Sequence, residues 1–364
     1  MTSLASSERS AVVEPLLLEV DDLHTYFKTA GGLVRAVDGV SLKLERGKTL
    51  GIVGESGSGK SVLSRSIMGL LPHRITVTSG TVRLRGAVIS DLPVRARRKF
   101  WGQAMSMVFQ DPMTSLNPVM KIGAQITEGL RKTLGMSKAE AYATAERLLN
   151  DVGIPEPKRR LDEYPHQLSG GMRQRVMIAI ALACGPTILF ADEPTTALDV
   201  TVQAQILDLL AAQQRDRNMA VILVTHDLGV VAGRTDDIAV MYAGKIVEKA
   251  PTRLLFSNMK MPYTEALLQS IPKMSDPSHS RLLSIEGLPP SLISPPVGCR
   301  FAPRCPYAKE RCHAEEPPLV EASTPEHVYA CWYPVGSPEW HEAQARLSRG
   351  GSAPAGDTMV AGGG

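Results

Sequence analysis

The sequence predicts an α/β fold in which helices cover both faces of a mainly parallel sheet. Two observations support this prediction. Short, largely apolar segments such as residues 187–193 and 220–227 alternate with helical segments, and strands of that composition are typical of parallel sheets buried on both faces. In addition, a glycine-rich loop at residues 54–61 lies between an apolar strand and a helix, which is typical of phosphate-binding α/β proteins.

The composition is that of an ordinary globular protein. The 364 residues predict about two domains, because domains average ~150 residues. Hydrophobic residues make up 43% of the chain and charged residues 21%, which excludes a disordered or fibrous protein. The 40 basic and 37 acidic side chains leave a net charge of +3. That charge is too small to indicate a nucleic-acid partner.

The sequence shows no segment suited to crossing a membrane. The longest apolar stretch, residues 176–191, is interrupted by Gly185-Pro186 and is shorter than the ~20 residues that a transmembrane helix needs. The first residues lack the basic region and apolar core of a signal peptide. We therefore expect a cytosolic protein that reaches a membrane only through a partner.

The first elements can be predicted in chain order. Apolar segments separated by Gly and Asp indicate strands at residues 16–27, 36–47 and 48–54. A helix is predicted over Gly59–Leu71, because a proline follows it. The turn-rich residues 79–90 then predict a hairpin.

The middle of the chain is predicted to be helical. Residues 112–165 are rich in helical pattern, and Ser137 with Glu140 matches a capping box. A further helix over residues 172–185 is ended by a Gly-Pro pair, and residues 200–216 form an amphipathic helical pattern.

Residues 54–61, GESGSGKS, match the pattern G-x-x-x-x-G-K-[ST]. Glycines allow backbone N–H groups to turn inward and bind an anion, and the following helix adds its positive N-terminal end. Lys60 is expected to contact the β- and γ-phosphates, and Ser61 to ligate Mg²⁺. The residues expected to contact the nucleotide are Gly54, Ser56, Gly57, Ser58, Gly59, Lys60 and Ser61.

An acidic pair at the end of a later strand supplies the second half of such a site. The apolar residues 188–191 place Asp192 at the carboxyl edge of a buried strand, where it can hold Mg²⁺. Glu193, one residue further, can act as the general base that activates a water molecule. The two halves together predict a nucleotide hydrolase with a P-loop NTPase core.

Motifs between and around these halves resemble those of one family. Residues 168–175, LSGGMRQR, resemble the signature sequence of the ABC-transporter ATPases. Gln110 resembles the Q-loop glutamine, residues 197–199 the D-loop and His226 the switch histidine of that family, in the same order. Phe27 stands where the family stacks adenine on an aromatic ring.

The resemblance implies a head-to-tail dimer. The backbone N–H groups of Ser169, Gly170 and Gly171 would form an anion site at the start of a helix. In the family, this loop caps the γ-phosphate that is held by the other subunit. Each complete site would therefore need two molecules.

Four more residues acquire expected roles from the resemblance. Gln110 would link Mg²⁺ and the attacking water to a helical subdomain, and His226 would contact the γ-phosphate. Asp199 is expected beside the bound nucleotide. Phe27 would stack on adenine, although an aromatic residue at a strand end is also typical of a core position, and Tyr26 is adjacent.

The resemblance and the changes in composition give the expected domain boundaries. Residues 1–14 are expected to be a flexible tail and residues 15–250 the ABC nucleotide-binding domain, which includes an antiparallel β subdomain and a helical subdomain at about 111–172. The proline-rich residues 251–336 form a small C-terminal extension with four cysteines. Residues 337–364 are expected to be a disordered tail.

A narrower resemblance rests on further segments. Residues 111–118 (DPMTSLNP), 164–167 (YPHQ), 263–268 (YTEALL) and 298–305 (GCRFAPRC) resemble the ATPases of oligopeptide and dipeptide importers, whose relatives include nickel and glutathione importers. The chain is most similar to the type that is paired with a homologous second ATPase.

The C-terminal cysteines are candidate ligands. The set consists of Cys299, Cys305, Cys312 and Cys331. Their spacing includes no C-x₂₋₄-C pair, which structural zinc sites favour. Disulfide bonds between them are disfavoured in a reducing cytosol. Zinc and unliganded thiols remain alternatives. The family resemblance implies a [4Fe-4S] cluster at this set, whereas Cys184 lies in an apolar pattern typical of a core residue.

The resemblance therefore implies an ATPase that powers peptide import from the cytoplasmic face of the inner membrane. ATP, Mg²⁺ and a [4Fe-4S] cluster are the expected cofactors. A second ATPase subunit, two transmembrane permease subunits and an external substrate-binding protein are the expected partners, without nucleic acid. Nickel or glutathione import and a soluble ABC ATPase that serves no transporter remain alternatives.

Overall fold

The computed structural model describes residues 16–196, 198–271 and 285–349, which form two β-sheets with helices packed around them. The strands are β1 (Leu18–Thr29), β2 (Gly32–Leu44), β3 (Thr49–Val53), β4 (Thr76–Leu84), β5 (Ala87–Val88), β6 (Met105–Val108), β7 (Ile188–Asp192), β8 (Ala220–Thr225), β9 (Asp237–Tyr242), β10 (Lys245–Pro251), β11 (Val320–Glu321) and β12 (Val328–Tyr329). The helices are α1 (Lys60–Met68), α2 (Val94–Arg97), α3 (Pro112–Ser115), α4 (Ile122–Leu134), α5 (Lys138–Asp151), α6 (Pro157–Arg160), α7 (Gly170–Leu182), α8 (Val200–Arg217), α9 (Leu228–Val231), α10 (Thr252–Asn258), α11 (Pro262–Gln269), α12 (Glu310–Ala314) and α13 (Pro338–Ser348). Short 3₁₀ helices span Arg98–Phe100, Pro165–Gln167 and Ala302–Arg304.

The larger sheet has the strand order β11-β12-β10-β9-β3-β8-β7-β6. Its strands β9, β3, β8, β7 and β6 run parallel, and every residue of β7 and β8 is buried. Burial on both faces explains why these strands are so apolar in sequence. The α/β fold with a parallel sheet is confirmed. The carboxyl ends of β3, β6, β7 and β8 meet at one edge, where α/β proteins bind their ligands.

The smaller sheet is antiparallel, with the order β2-β1-β4-β5. It packs with α1 against one face of the parallel sheet, and Leu18, Val40, Leu63 and Ile52 are fully buried in the shared core. The helix α1 ends at Met68, three residues before the predicted end, because Gly69 adopts a left-handed conformation that caps it.

Helices α4, α5 and α7 pack together over the other face. The predicted capping box is present: the Ser137 hydroxyl accepts the N–H of Glu140 at 3.3 Å, and the Glu140 carboxylate accepts the N–H of Ser137 at 2.9 Å. The helix α7 ends at Leu182. Cys184, predicted to lie inside a helix, is therefore just beyond its end and half-buried.

The C-terminal segment extends the larger sheet, because β12 pairs with β10 and β11 pairs with β12. Beneath this edge the fully buried His327 meets the fully buried Glu248, with 2.8 Å between Nε2 and Oε1. The Glu248 carboxylate also accepts the backbone N–H groups of Lys260 and Met261. Because Glu248 belongs to β10, its carboxylate attaches both His327 and the backbone at Lys260 and Met261 to that strand.

The expectation of disorder from residue 337 onward is wrong for α13. Ser337 caps this helix by accepting the N–H of Trp340 at 3.2 Å, and a proline occupies its first turn. The indole of Trp340 also donates to Glu265 at 3.3 Å, so the helix is held by the body of the protein. The prediction of disorder relied on the composition of residues 337–364, which is dominated by the glycines near the end of the chain. It therefore overlooked the capping residues at the start of this helix.

The expected N-terminal tail at residues 1–14 and residues 350–364 lie outside the described residues. Within the described ranges, no helix combines the length and the apolar composition that crossing a membrane requires.

Candidate nucleotide site

The loop between β3 and α1 can be formed only with glycine at two of its positions. A side chain on Gly54 would collide with the backbone carbonyl of Met241, and one on Gly59 with the carbonyl of Ala36. Gly59 also has a φ angle of +102°, which other residues rarely adopt. The loop therefore runs in close contact with its neighbours and leads directly into the N-terminus of α1, as predicted from the sequence.

Lys60 is buried inside this loop, with 4% of its surface exposed. Its ammonium donates to the carbonyl oxygens of Gly54 at 2.7 Å and Glu55 at 2.9 Å, and lies 3.9 Å from a carboxylate oxygen of Glu193. Burial lowers the pKa of Lys60, while the nearby carboxylates oppose that change. The loop thus holds one positive charge at its centre.

Asp192 ends β7 beside the start of α1 and is completely buried. The Ser61 hydroxyl donates to Asp192 Oδ1 at 2.6 Å, and Arg65 Nη2 lies 3.4 Å from Oδ2. Burial raises the pKa of Asp192, whereas Ser61 and Arg65 favour its charged form. Sequence reasoning missed Arg65, although its position four residues after Ser61 places both on one face of α1.

Adjacent hydroxyl and carboxylate oxygens are the hard ligands that Mg²⁺ prefers. The pair formed by Ser61 and Asp192 therefore fits the expected metal. The described residues bring these two side chains together from positions 131 residues apart in the chain.

Glu193 lies at the meeting point of the loops that follow β6, β7 and β8. Its Oε2 atom accepts from Gln110 Nε2 at 3.1 Å and from the Thr196 hydroxyl at 2.9 Å, and lies 3.3 Å from His226 Nδ1. The predicted residues Glu193, Gln110 and His226 are thus brought together. Thr196 was missed, and the sequence offers only its proximity to Glu193 as a signal.

The contacts around Glu193 shift two pKa values in opposite directions. The hydrogen bond from His226, the largest effect, lowers the pKa of Glu193, although burial acts against it. The same hydrogen bond raises the pKa of His226. A carboxylate that stays ionised and is oriented by three neighbouring groups is suited to accept a proton from a water molecule.

The signature loop lies at the start of α7. Ser169 caps this helix by accepting the N–H of Met172 at 3.3 Å, and both Ser169 and Gly170 are exposed. A side chain added at Gly171 would lie against Val202 at the start of α8, where Asp199 caps that helix. Among the described residues, no hydrogen bond or ion pair joins residues 169–171 to the loop at 54–61.

Phe27 is half-buried on β1, opposite Val34. The neighbouring Tyr26 instead donates its hydroxyl to Asp38, which also forms an ion pair with Arg300 of the C-terminal segment. Burial alone would raise the pKa of Asp38, but the hydrogen bonds from Tyr26 and Arg300 outweigh it and lower that pKa to about 2. Sequence reasoning did not find this ion pair.

The four C-terminal cysteines are free thiols that influence one another. Burial raises the pKa of Cys331 to about 12, against the effect of the backbone at Tyr333, and the neighbouring thiols add smaller increases. The pKa of Cys305 is also raised, mainly by burial and to a lesser degree by the other three thiols. Within the described part of the chain, however, no group of three or more His, Cys, Asp or Glu side chains is arranged to hold a metal ion. The structure therefore gives the expected cluster no support.

The fold and the site define an ATP-hydrolysing cassette, and comparison with known proteins agrees. Residues 37–196 match the ABC transporter family, and residues 247–312 match the oligopeptide/dipeptide transporter C-terminal region. The dimeric bacterial ABC transporter cassette MJ0796 superimposes with a TM-score of 0.59 at 29% identity, over 65% of this chain and 99% of that one.

Closer relatives share nearly the whole chain. The oligopeptide transport ATP-binding protein OppD of Salmonella typhimurium is 50% identical over 320 residues, which is 88% of this chain and 94% of that protein. The dipeptide transport ATP-binding protein DppD of Bacillus subtilis is 50% identical over 317 residues, 87% of this chain and 94% of that protein. The chain belongs to the ABC-transporter ATP-binding subunits of the dipeptide and oligopeptide permease family.

The contact between Glu193 and His226 makes a testable prediction. In Glu193→Gln the carboxylate that stabilises the imidazolium is lost, so the pKa of His226 falls below its value in the unchanged protein. Because the pKa of His226 is raised in the folded protein, the contact stabilises the fold fully at pH values below the pKa of His226 in the unfolded chain. This stabilisation is lost as the pH rises through the pKa of His226 in the folded protein. NMR titration of the His226 ring in the nucleotide-free protein measures the change.

Asp227 provides the control for this titration. Its charge raises the pKa of His226 less than Glu193 does, so Asp227→Asn lowers that pKa less than Glu193→Gln does. An equal fall in both variants, or no fall in Glu193→Gln, would contradict the proposed contact.

Proposed function

We propose that this chain is the ATP-hydrolysing subunit of a transporter that imports dipeptides or oligopeptides. Its relatives are named as oligopeptide and dipeptide transport ATP-binding proteins, and its C-terminal region matches that of the same transporters. In this proposal the chain works on the cytoplasmic face of the inner membrane. It is joined there by a second ATPase and two permease subunits, with an external binding protein that delivers the peptide.

The convergence of Gln110, Thr196 and His226 on Glu193 carries the proposal of catalysis. Glu193 accepts a proton from water, the water oxygen forms a bond to the γ-phosphorus, and the bond from that phosphorus to the bridging oxygen breaks to give ADP and phosphate. Lys60 and the backbone N–H groups of the loop at 54–61 hold the phosphates throughout.

A bound Mg²⁺ would neutralise charge on the β- and γ-phosphates, and Ser61 and Asp192 would hold it, with Gln110 beside them. Phe27 is proposed to stack on the adenine. The exposed side chain of His226 is proposed to contact the γ-phosphate when ATP is bound.

The signature loop supports the proposal of a head-to-tail dimer. Ser169 and Gly170 are exposed at the N-terminus of a 13-residue helix, and Asp199 lies on the adjacent loop. Helix N-termini bind anions, and within the described ranges Ser169 and Gly170 have no polar contact with the phosphate loop of their own chain. We propose that Ser169, Gly170, Gly171 and Asp199 act on the ATP held by the second ATPase.

Two structural divisions remain proposals. The nucleotide-binding domain is assigned to residues 15–250, with a helical subdomain at about 111–172 that comprises α3 to α6. The C-terminal extension is assigned to residues 251–336. The prolines and cysteines of this segment and its separate family match support that division.

We also propose a [4Fe-4S] cluster held by Cys299, Cys305, Cys312 and Cys331. The four thiolates would supply the Cys₄ ligand set that such a cluster needs. Backbone N–H groups at Phe301, Tyr307 and Tyr333 lower the pKa of three of these thiols, against the effect of burial, which favours the thiolate form that binds iron.

Protein purified without oxygen should show visible absorbance and about four iron atoms per chain. Cys312→Ala should lose both, because it removes one ligand, whereas Cys184→Ala should keep both. Colourless protein with one bound zinc, or thiols that react fully without metal release, would contradict the cluster.

The catalytic assignment is tested by two variants with different expected defects. Glu193→Gln removes the base but keeps the shape of the site, so we expect turnover to fall by about 10²-fold or more while ATP affinity stays close to that of the unchanged protein. Lys60→Ala removes the buried ammonium, so ATP affinity itself should fall. Calorimetric ATP titration and phosphate release measure the two effects.

Turnover that survives in Glu193→Gln would show that Glu193 is not the base. Unchanged ATP affinity in Lys60→Ala would contradict the role of the loop. Copurification of the chain with two hydrophobic permease subunits distinguishes a transporter ATPase from a soluble ABC ATPase.

A further inference from the structure

Arg304 connects the cysteine-rich segment to the phosphate loop. Its guanidinium forms a two-point ion pair with Glu55, the second residue of that loop, with 2.6 Å from Nη1 to Oε2 and 2.9 Å from Nη2 to Oε1. These residues lie 249 positions apart in the chain. The Arg304 side chain is only 4% exposed. A two-point contact of this kind is among the strongest polar interactions in proteins and also fixes orientation.

Every N–H donor of the Arg304 guanidinium has an acceptor. Besides Glu55, Nε donates to the carbonyl of Glu286 at 2.9 Å, Nη2 to that of Ile285 at 3.1 Å, and Nη1 to the Tyr242 hydroxyl at 3.2 Å. An arginine guanidinium has five such donors in a fixed planar arrangement. The group therefore has one orientation, and a lysine ammonium could not replace it.

A second contact holds the backbone of the same loop residue. The N–H of Glu55 donates to the Tyr263 hydroxyl at 2.8 Å. The ring of Tyr263 is fully buried and packs against Tyr242 and Phe301, with centroid distances of 4.6 and 5.3 Å. Phe301 lies three residues before Arg304. The same segment therefore supports both the ion pair to the Glu55 carboxylate and the Tyr263 hydroxyl that binds the Glu55 N–H.

Glu55 in turn positions the groups that would face the phosphates. Its carbonyl oxygen accepts from Lys60 Nζ at 2.9 Å and from the N–H of Ser58 at 3.2 Å. Movement of Glu55 would therefore shift the ammonium and one of the loop's N–H groups. A loop already fixed in its binding conformation loses less conformational entropy when a ligand binds.

We propose that Arg304 is a positioning residue for ATP binding, and that it acts through Glu55. The inference rests on the proposed function in that the loop binds a nucleoside triphosphate. The contact preorganises the loop without touching the water or the γ-phosphate, so its loss weakens ATP binding and leaves the chemical step unchanged. The cysteine-rich segment, distant in sequence, is thereby part of the nucleotide site.

The full-length chain tests this proposal with Arg304→Gln, Glu55→Gln and the double variant. Each single variant should weaken ATP binding and raise KM by about tenfold, while kcat stays within about twofold. Because both changes remove one contact, the double variant should be no weaker than the weaker single variant. Arg304→Lys should restore only part of the affinity, since it keeps the charge and loses the two-point geometry.

Arg311→Gln is the matched control. Arg311 belongs to the same segment and pairs with Glu315 at 3.0 Å, but it has no polar contact with the phosphate loop in the described structure. ATP affinity, KM and kcat should all stay unchanged in this variant. If Arg304→Gln proves too unstable to assay, Glu55→Gln breaks the same ion pair by changing Glu55, whose side chain is more exposed than that of Arg304.

Additive losses in the double variant would overturn the proposal, because they would show that Arg304 does not act through Glu55. Unchanged ATP affinity in both single variants, or a fall in kcat with unchanged KM, would also overturn it. Calorimetric ATP binding is measured separately from turnover. A chain that binds ATP through this contact but does not hydrolyse it would contradict the proposed function and leave the role of Arg304 intact.

Discussion

The loop at residues 54–61 can bind phosphate only if its backbone keeps one conformation. In the proposed function, a triphosphate is bound by backbone N–H groups that turn inward and by one buried ammonium, and neither would keep its position if the loop changed shape. Gly54 and Gly59 contact the backbones of Met241 and Ala36 too closely for any side chain. The loop is therefore shaped by the strands around it, and the central position of β3 in the parallel sheet serves that purpose.

The same edge of the sheet also brings together the residues proposed to hold the metal and to activate water. Asp192 and Glu193 are consecutive, yet they have different environments. Asp192 is fully buried against Ser61 and Arg65. Glu193 has a φ angle of +46°, so the backbone leaves the extended conformation of the strand at this residue. That strained conformation directs its carboxylate toward groups from two neighbouring loops. One residue is thus suited to hold a metal and the next to accept a proton.

The parallel sheet and the glycine-rich loop between a strand and a helix could be predicted from the sequence because those features depend on local patterns. Apolar strands identify buried positions, and the spacing from Gly54 to Ser61 identifies the phosphate loop without any tertiary information. Arg304 and Thr196 escaped prediction because their importance depends on contacts that no local pattern encodes. The helix α13 was missed for a different reason: a glycine-rich stretch follows it, and the composition of that stretch masked the capping signal at Ser337.

The C-terminal segment belongs to the site more closely than its sequence suggests. Arg300 pairs with Asp38 beside β1, Arg304 pairs with Glu55 in the loop, and His327 anchors the segment to Glu248. Both arginine pairs are buried on at least one side, where an unpaired charge would be costly, and the hydrogen bond between His327 and Glu248 is fully buried. The segment is therefore attached through polar contacts that fix its position relative to the loop as well as through apolar packing.

In the proposed function, residues 54–61 bind the phosphates while Ser61 and Asp192 hold the metal at the same edge of the sheet. Calorimetric titration of ATP with and without Mg²⁺, in the unchanged protein and in Asp192→Asn, tests it most directly. We expect Mg²⁺ to strengthen ATP binding in the unchanged protein. In the variant that gain should be lost, while Mg²⁺-free binding stays the same within about twofold. An undiminished effect of Mg²⁺ in Asp192→Asn would contradict the account.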